Sequence, residues 1–283
     1  MLPNFLIIGE MKCGTTSMAN YLMAHPDAFV HPEKELRFFD YRWERGLAWY
    51  DSCFTPPPGS TAVGEATPTY LFNPVARERI ARSCPRAKLV VMVRNPVDRA
   101  YSHYWHWRNR EGERRSFASA IDDELSSPSA QFVEWNPEDP GGYQYLARGA
   151  YIRSLAALCR VIPRAQVLVV VMEDLAAEPA GTFRAVCRHL GIDSELVPEA
   201  VGGVWNGYAH VHHRGLLDML LRIRAHRVLP DRVARAVFRR TYQTDVRPPP
   251  IGPALRARLV DHFSTDNAAL ADWLDRDLTI WNS

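Results

Sequence analysis

Residues 4–20 read N-F-L-I-I-G-E-M-K-C-G-T-T-S-M-A-N, and this stretch decides the fold. Asn4 to Ile8 is a short apolar run with two isoleucines, the pattern of a strand buried on both faces of a parallel sheet. It breaks at Gly9, a second glycine follows at Gly14, and Thr15, Thr16 and Ser17 open a helical stretch ending near Ala24. A strand, a glycine-bounded loop and a helix N-terminus in succession make an anion cradle. Loop and first-turn N–H groups point at a bound phosphate, and the helix dipole favours its charge. A tight strand-to-helix turn without a ligand is the plain alternative.

The spacing approaches the nucleotide-triphosphatase loop G-x-x-x-x-G-K-[ST] but departs from it where that motif needs its lysine. Thr15 stands there, and the lysine of the loop, Lys12, lies in its middle. A lysine at that place reaches a phosphate oxygen on the leaving side, but it does not encode the usual triphosphate and magnesium geometry. The expectation is a phosphate loop of a different kind.

A second informative stretch, A-K-L-V-V-M-V-R-N-P-V-D-R-A-Y-S-H-Y-W-H-W-R-N-R, spans 87–110. Leu89 to Val93 predicts another buried strand. Arg94 lies at its carboxyl end, Asn95 suits an N-cap, and Pro96 suits a first helical turn. Ser102 falls about two turns into that helix. Open α/β sheets bind ligands at the carboxyl ends of their strands, so the loop and Arg94 are expected at one edge, facing a ligand with two phosphate-like groups. The alternative is an Arg94–Asp98 ion pair. Tyr101, Tyr104, Trp105 and Trp107 read as helix packing, and His103 and His106 as partly exposed helix histidines.

Elsewhere, H-P-D-A-F-V-H-P-E-K-E-L-R-F-F-D (25–40) holds a short extended piece, Ala28 to Val30, and then Glu33, Lys34 and Glu35 before the aromatic pair Phe38 and Phe39. On the residues alone this is a solvated charge cluster preceding a core pair; the sharper alternative is a carboxylate at the edge of an apolar pocket, suited to base catalysis. Gly46–Phe54 predicts a short helix, Ala62–Glu65 a strand, Pro74–Cys84 a helix and Tyr143–Ile162 a long helix, or two broken near Gly149. Val167–Met172 predicts a third buried strand, and Ala180–Leu190 a helix capped by Gly191. Residues 111–142 turn polar and suggest a variable, lid-like excursion. Further helices are expected over Leu216–Val228, Asp231–Arg240 and Ala254–Leu274, the last broken near Ser264. Recurring β-α units with short connections mean a mainly parallel sheet flanked by helices.

The 283 residues suffice for one large α/β domain, and 47% hydrophobic with 23% charged residues is ordinary for a soluble globule. A net charge of +2 argues against nucleic acid or a membrane surface as partner. The five cysteines are scattered without a C-x-x-C pair, which points to a reducing compartment and away from a disulfide framework or zinc knuckle. Cys13 reads as a bystander in its loop. The cluster His210, His212 and His213 lacks a fourth ligand at useful spacing, so no metal is expected. The chain starts at its first strand and has no apolar run of membrane-spanning length, so a cytoplasmic protein without stable membrane insertion is expected.

G-E-M-K-C-G-T-T-S, H-P-E-K-E-L-R-F-F-D and V-M-V-R-N-P-V-D-R-A-Y-S occur in that order, followed by R-G-A-Y, M-E-D-L and a final D-L-T-I-W, with E-A-T-P-T-Y between the second and third. Together these resemble the sulfotransferases that use 3′-phosphoadenylyl sulfate (PAPS), in particular the heparan-sulfate and bacterial carbohydrate-type branch. The resemblance implies a P-loop-like three-layer α/β/α fold with extra C-terminal helices, as a single domain over 1–283 with a helical insertion at 206–241. It implies that Lys12, Cys13, Gly14, Thr15, Thr16 and Ser17 bind the 5′-phosphosulfate, with Lys12 neutralising the leaving oxygen. Arg94 and Ser102 would bind the 3′-phosphate, and Glu35 would be the general base, with His103 next in line. The reaction would be metal-independent transfer from PAPS, leaving 3′,5′-adenosine bisphosphate (PAP), to a hydroxyl or amine of a carbohydrate, glycolipid or small metabolite. Departures are Ala66, where heparan-type members carry lysine; Arg37, where some carry histidine; and a C-terminal cofactor loop for which Arg214 and Arg247 compete. A P-loop kinase and a nucleotide-binding relative without turnover are the rival readings. The residues leave the acceptor and the oligomeric state open.

Overall fold

A computed structural model describes residues 1–110, 113–126, 144–203, 210–211, 242–243 and 248–282. Five strands, β1 (Phe5–Gly9), β2 (Ala28–Val30), β3 (Ala62–Ala66), β4 (Lys88–Val93) and β5 (Val167–Val171), form one sheet in the order β2-β3-β1-β4-β5, with every pairing parallel. The apolar runs explain this: each residue of β1 and β3 is buried, as parallel strands covered on both faces must be. Helices α1 (Thr15–Met23), α2 (Gly46–Ser52), α3 (Pro74–Ser83) and α4 (Pro96–Arg110) follow β1, β2, β3 and β4 in turn. Then come α5 (Phe117–Ser126), α6 (Tyr151–Leu158), α7 (Met172–Ala177) and α8 (Pro179–Leu190). A two-stranded antiparallel pair, β6 (His210–Val211) with β7 (Tyr242–Gln243), precedes α9 (Pro253–Leu274). The expected three-layer α/β/α class is what forms, and its main sheet is wholly rather than mainly parallel.

The chain leaves β1 for β2 and β3 on one side and then crosses to β4 on the other. β1 is therefore the topological switch point, and the crevice at its carboxyl end is where such sheets hold ligands. The strands on either side of β1 pack so closely that two glycines are required. A Cβ on Gly9, whose φ is +149°, would lie 2.4 Å from the Met92 carbonyl oxygen, and one on Gly64 would lie 2.3 Å from that of Phe5.

Expected local signals operate as read at several ends. Asn95 Oδ1 accepts from the N–H groups of Val97 (2.9 Å) and Asp98 (3.3 Å) to cap α4, and Gly191 ends α8 in the left-handed conformation. One expectation fails. α9 runs unbroken through Ser264, whose hydroxyl donates to the Asp261 carbonyl (2.7 Å) and so does not interrupt the backbone ladder. Of the two forms expected over Tyr143–Ile162, the structure is nearer the one broken near Gly149: a 3-10 turn, Ala147–Gly149, precedes the eight-residue α6. Gly149 faces the Phe263 ring too closely to carry a side chain. Among the described residues of the polar stretch 111–142, α5 buries Phe117, Ala120 and Ile121 in a second core with Val97, Tyr104, Tyr145, Leu259 and Phe263. The helices expected over Leu216–Val228 and Asp231–Arg240 lie outside the described residues.

The C-terminal segment is tied to the sheet edge. Trp281 is fully buried, and its indole donates to Glu173 Oε2 (3.2 Å) while Glu173 Oε1 accepts from the Asn95 N–H (2.9 Å). Arg276 grips Asp174 with both terminal nitrogens. The predicted consequence of the tight β1–β3 approach is that Gly64→Ala lowers stability by about 2 kcal/mol or more, because backbone and not a flexible side chain must yield. Urea unfolding of the variant checks it.

Candidate active site

Between β1 and α1 the backbone turns through two left-handed residues, Lys12 (φ +74°) and Gly14 (φ +87°). The first turn of α1 carries no acidic residue, so its N–H groups face an electropositive loop. The one carboxylate in the loop turns inward: Glu10 pairs with Arg148 at 3.0 Å, both side chains being 2% exposed or less. Burial raises the pKa of Glu10, against the pull of Arg148 and Arg99. The loop therefore presents cationic and N–H groups outward and keeps its anion inside. Cys13 is buried, with Sγ 3.7 Å from the Tyr151 hydroxyl, and burial pushes its thiol up to about 12. That is an inert thiol, in agreement with a bystander.

Arg94, at the carboxyl end of β4, donates from Nη1 to the Lys12 carbonyl oxygen at 3.4 Å, so the second anion feature does meet the loop. The alternative Arg94–Asp98 pair does not form; Asp98 pairs with Arg256 of α9 at 2.9 Å. Ser102 is half-buried on α4, and its neighbour Tyr101 donates to the Pro249 carbonyl oxygen at 2.5 Å. The segment leading into α9 thus passes the same helix. Arg214 and Arg247, the candidates for the C-terminal loop, lie outside the described residues, as do the side chains of His210, His212 and His213. Among the described residues no cluster of His, Cys, Asp or Glu could hold a metal ion.

The charged stretch after β2 is not a freely solvated cluster. Lys34, whose side chain is 17% exposed, donates from Nζ to Thr16 Oγ1 at 2.6 Å and to Glu35 Oε1 at 3.1 Å. This connects the first turn of α1 directly to the Glu35 carboxylate, which stays 40% exposed at the crevice. Lys34 (φ +60°) and Arg37 (φ +51°) flank it in left-handed conformations, and the Lys34 carbonyl accepts from the Ala66 N–H at 3.0 Å.

Behind this segment lies a buried carboxylate that the sequence reading did not single out. Glu65 accepts from the hydroxyls of Thr67 (2.5 Å), Tyr70 (2.8 Å) and Tyr50 (2.9 Å) and from the Leu36 N–H (3.3 Å). Thr67 in turn accepts from the Arg37 N–H, and the Tyr70 hydroxyl from the Phe39 N–H. The segment bearing Glu35 is thereby fastened to β3. The signal was present in E-A-T-P-T-Y, a glutamate inside an otherwise apolar strand with hydroxyl residues two and five positions on.

His103 does not fit its expected exposure. It is fully buried, with the Trp107 indole donating to Nε2 (2.6 Å) and Arg99 Nη1 at 3.4 Å from Nδ1. Burial and the nearby Arg99 and Arg148 cations hold its pKa well below the usual value. Both ring nitrogens are engaged inside the protein.

At the switch point of the parallel sheet, Lys12, Lys34, Arg94 and the Glu35 carboxylate gather around the glycine-bounded loop and the N-terminus of α1. The sulfotransferase domain family matches residues 2–206, and the chain belongs to that family. It is 32% identical over 191 residues to mouse heparan sulfate glucosamine 3-O-sulfotransferase 3B1, covering 68% of this chain and 46% of that protein. It is 31% identical over 202 residues to human bifunctional heparan sulfate N-deacetylase/N-sulfotransferase 2, covering 68% of this chain and 22% of that one. The chain thus spans about half or less of the length of these curated relatives. A solved structure, a sulfotransferase from Alicyclobacillus acidocaldarius, superposes with TM-score 0.73 at 29% identity over the whole of both chains.

The Glu65 network predicts a pH dependence of stability. Burial raises its pKa from 4.5 to about 7, outweighing its hydrogen-bond donors, so the folded state holds this proton where the unfolded chain releases it. Its contribution to stability is therefore complete below pH 4.5 and is lost as pH rises through about 7, on the order of 3 kcal/mol in all. Urea midpoints measured from pH 5 to pH 8 are expected to fall for the wild type relative to Glu65→Gln, which has no proton to lose.

Proposed function

We propose that this chain catalyses sulfuryl transfer from PAPS to a hydroxyl, or an amine, of a carbohydrate, glycolipid or small metabolite, releasing PAP. One observation carries the reading: the phosphate loop, Arg94 and the Glu35 carboxylate converge at one sheet edge, Glu35 being joined to the loop through Lys34 and Thr16. The loop amides from Cys13 to Ser17 and the N-terminus of α1 suit the 5′-phosphosulfate; Arg94 and Ser102 suit the 3′-phosphate. Glu35, exposed at the crevice, accepts the proton of the attacking group, and Lys12 meets the charge that develops on the leaving phosphate oxygen. Because lysine, arginine and N–H groups supply the positive potential, positioning and electrostatics suffice for in-line displacement.

The carbohydrate acceptor class is supported by the two heparan-sulfate enzymes to which the chain is similar. A single domain over 1–283 is supported by the packing of α9 against α4 and α6 and by the burial of Trp281. No described helix is long and apolar enough to cross a membrane. All five cysteines are free, which suits a reducing compartment such as the cytoplasm.

The P-loop kinase reading is set apart by Thr15 and by one titration. Calorimetry is expected to show PAP binding without magnesium and no comparable binding of magnesium–ATP; the reverse result would refute the sulfotransferase assignment. Lys12→Ala and Glu35→Gln are each expected to lower turnover about 100-fold, with PAP still bound by the glutamine variant. Transfer of labelled sulfate from PAPS into a panel of carbohydrate and phenolic acceptors measures both and identifies the acceptor.

A further inference from the structure

Lys34 bridges the first turn of α1 and the Glu35 carboxylate. Its side chain is largely covered, yet both of its hydrogen bonds go to groups of the proposed site: Thr16 Oγ1 in the first turn of α1 and Glu35 Oε1. Its backbone occupies the left-handed region (φ +60°), which carries a strain on the order of 1 kcal/mol for a residue with a side chain. That conformation is pinned from both sides, the Lys34 N–H donating to the His31 carbonyl (2.8 Å) and its own carbonyl accepting from Ala66 (3.0 Å). Strained, over-determined backbone aims this ammonium between the loop that would hold the donor and the carboxylate that would take the acceptor's proton. The space between those two groups is where the transferring group must lie. An ammonium has three N–H donors, and Thr16 and Glu35 account for two.

We propose that Lys34 is a second catalytic cation, directed at the non-bridging oxygens of the sulfuryl group rather than at the nucleotide. This rests on the sulfotransferase reading and adds to it a residue and an atom. In the transfer, the acceptor oxygen forms its bond to sulfur as the bond from sulfur to the bridging phosphate oxygen breaks. The electron pair of the broken bond stays on that phosphate oxygen of PAP, opposite Lys12, and the acceptor's proton passes to Glu35. Lys34 keeps its proton throughout and stabilises the negative charge on the oxygens in flight. The two lysines therefore divide the work, one at the leaving oxygen and one at the transferring group.

This division separates the two ligands PAPS and PAP, which differ by the sulfuryl group alone. Lys34→Gly suits the left-handed backbone, so the variant is expected to melt at or above the wild-type temperature. By calorimetry it is expected to bind PAPS about tenfold more weakly and PAP within twofold of wild type, while Lys34→Arg keeps the preference for PAPS. Equal weakening of both ligands would reduce Lys34 to a support for Thr16 and overturn the proposal, as would unchanged affinity for both. Failure of the wild-type protein to bind either ligand would instead overturn the sulfotransferase reading itself.

Discussion

The Glu65 carboxylate is the interaction on which the site depends. It sits near the carboxyl end of β3, fully buried, and draws three hydroxyls and a backbone N–H toward itself from α2, from the turn after β3 and from the segment after β2. Phe38 stacks on Tyr50 at 4.2 Å and packs beside Phe39, so the aromatic pair and the polar network close around the same stretch of chain. A loop of this length would ordinarily be mobile, because its backbone groups could find water as easily as one another. Here its N–H groups are committed to side chains that reach out from the sheet. The residues just after Glu35, namely Leu36, Arg37 and Phe39, are fastened in this way.

Charge is sorted by depth. The carboxylates of Glu10 and Glu65 point inward, where arginine or hydroxyl partners offset the cost of burying them. The groups left at the crevice are then Lys12, Lys34, Arg94 and the half-exposed Glu35. Such a surface suits an anionic ligand. Backbone strain is sorted in the same way. Among the described residues four non-glycines have positive φ, and three of them, Lys12, Lys34 and Arg37, border the crevice. Strain held by surrounding structure at such a place is a sign of function rather than of poor folding.

Much of the fold was legible in the chain. Short β-branched-rich runs at Leu89–Val93 and Val167–Val171, each followed by a helix start, read as parallel strands, and Asn95, Pro96 and Gly191 mark helix ends through constraints that act within a few residues. Reading failed where long-range packing overrode local composition. The polar stretch after Arg110 gave no hint that Phe117 and Ile121 of α5 would meet Phe263 from the far end of the chain. Ser264 looked like a helix break because its preference for turns is local, whereas α9 is held by a buried face running through Leu259, Phe263 and Leu270. His103 looked exposed because a helix with many polar residues conceals which face is covered, and that depends on Arg99 and Tyr145.

The sequence by itself determined the phosphate loop, the parallel sheet and the pairing of Lys12 with Arg94 at one edge. These follow from the order of strands, glycines and helix starts, and the rules that govern them act over short distances. Only the tertiary structure brought Lys34 and Glu35 to the first turn of α1. In the chain they are two members of a charged run, and a charged run is usually solvated. In the fold Lys34 spans the gap between Thr16, eighteen positions earlier, and Glu35, because the β2–β3–β1 order lays the segment after β2 against the mouth of the loop. That proximity comes from sheet topology and the buried Glu65 anchor, neither of which leaves a mark on the residues it brings together.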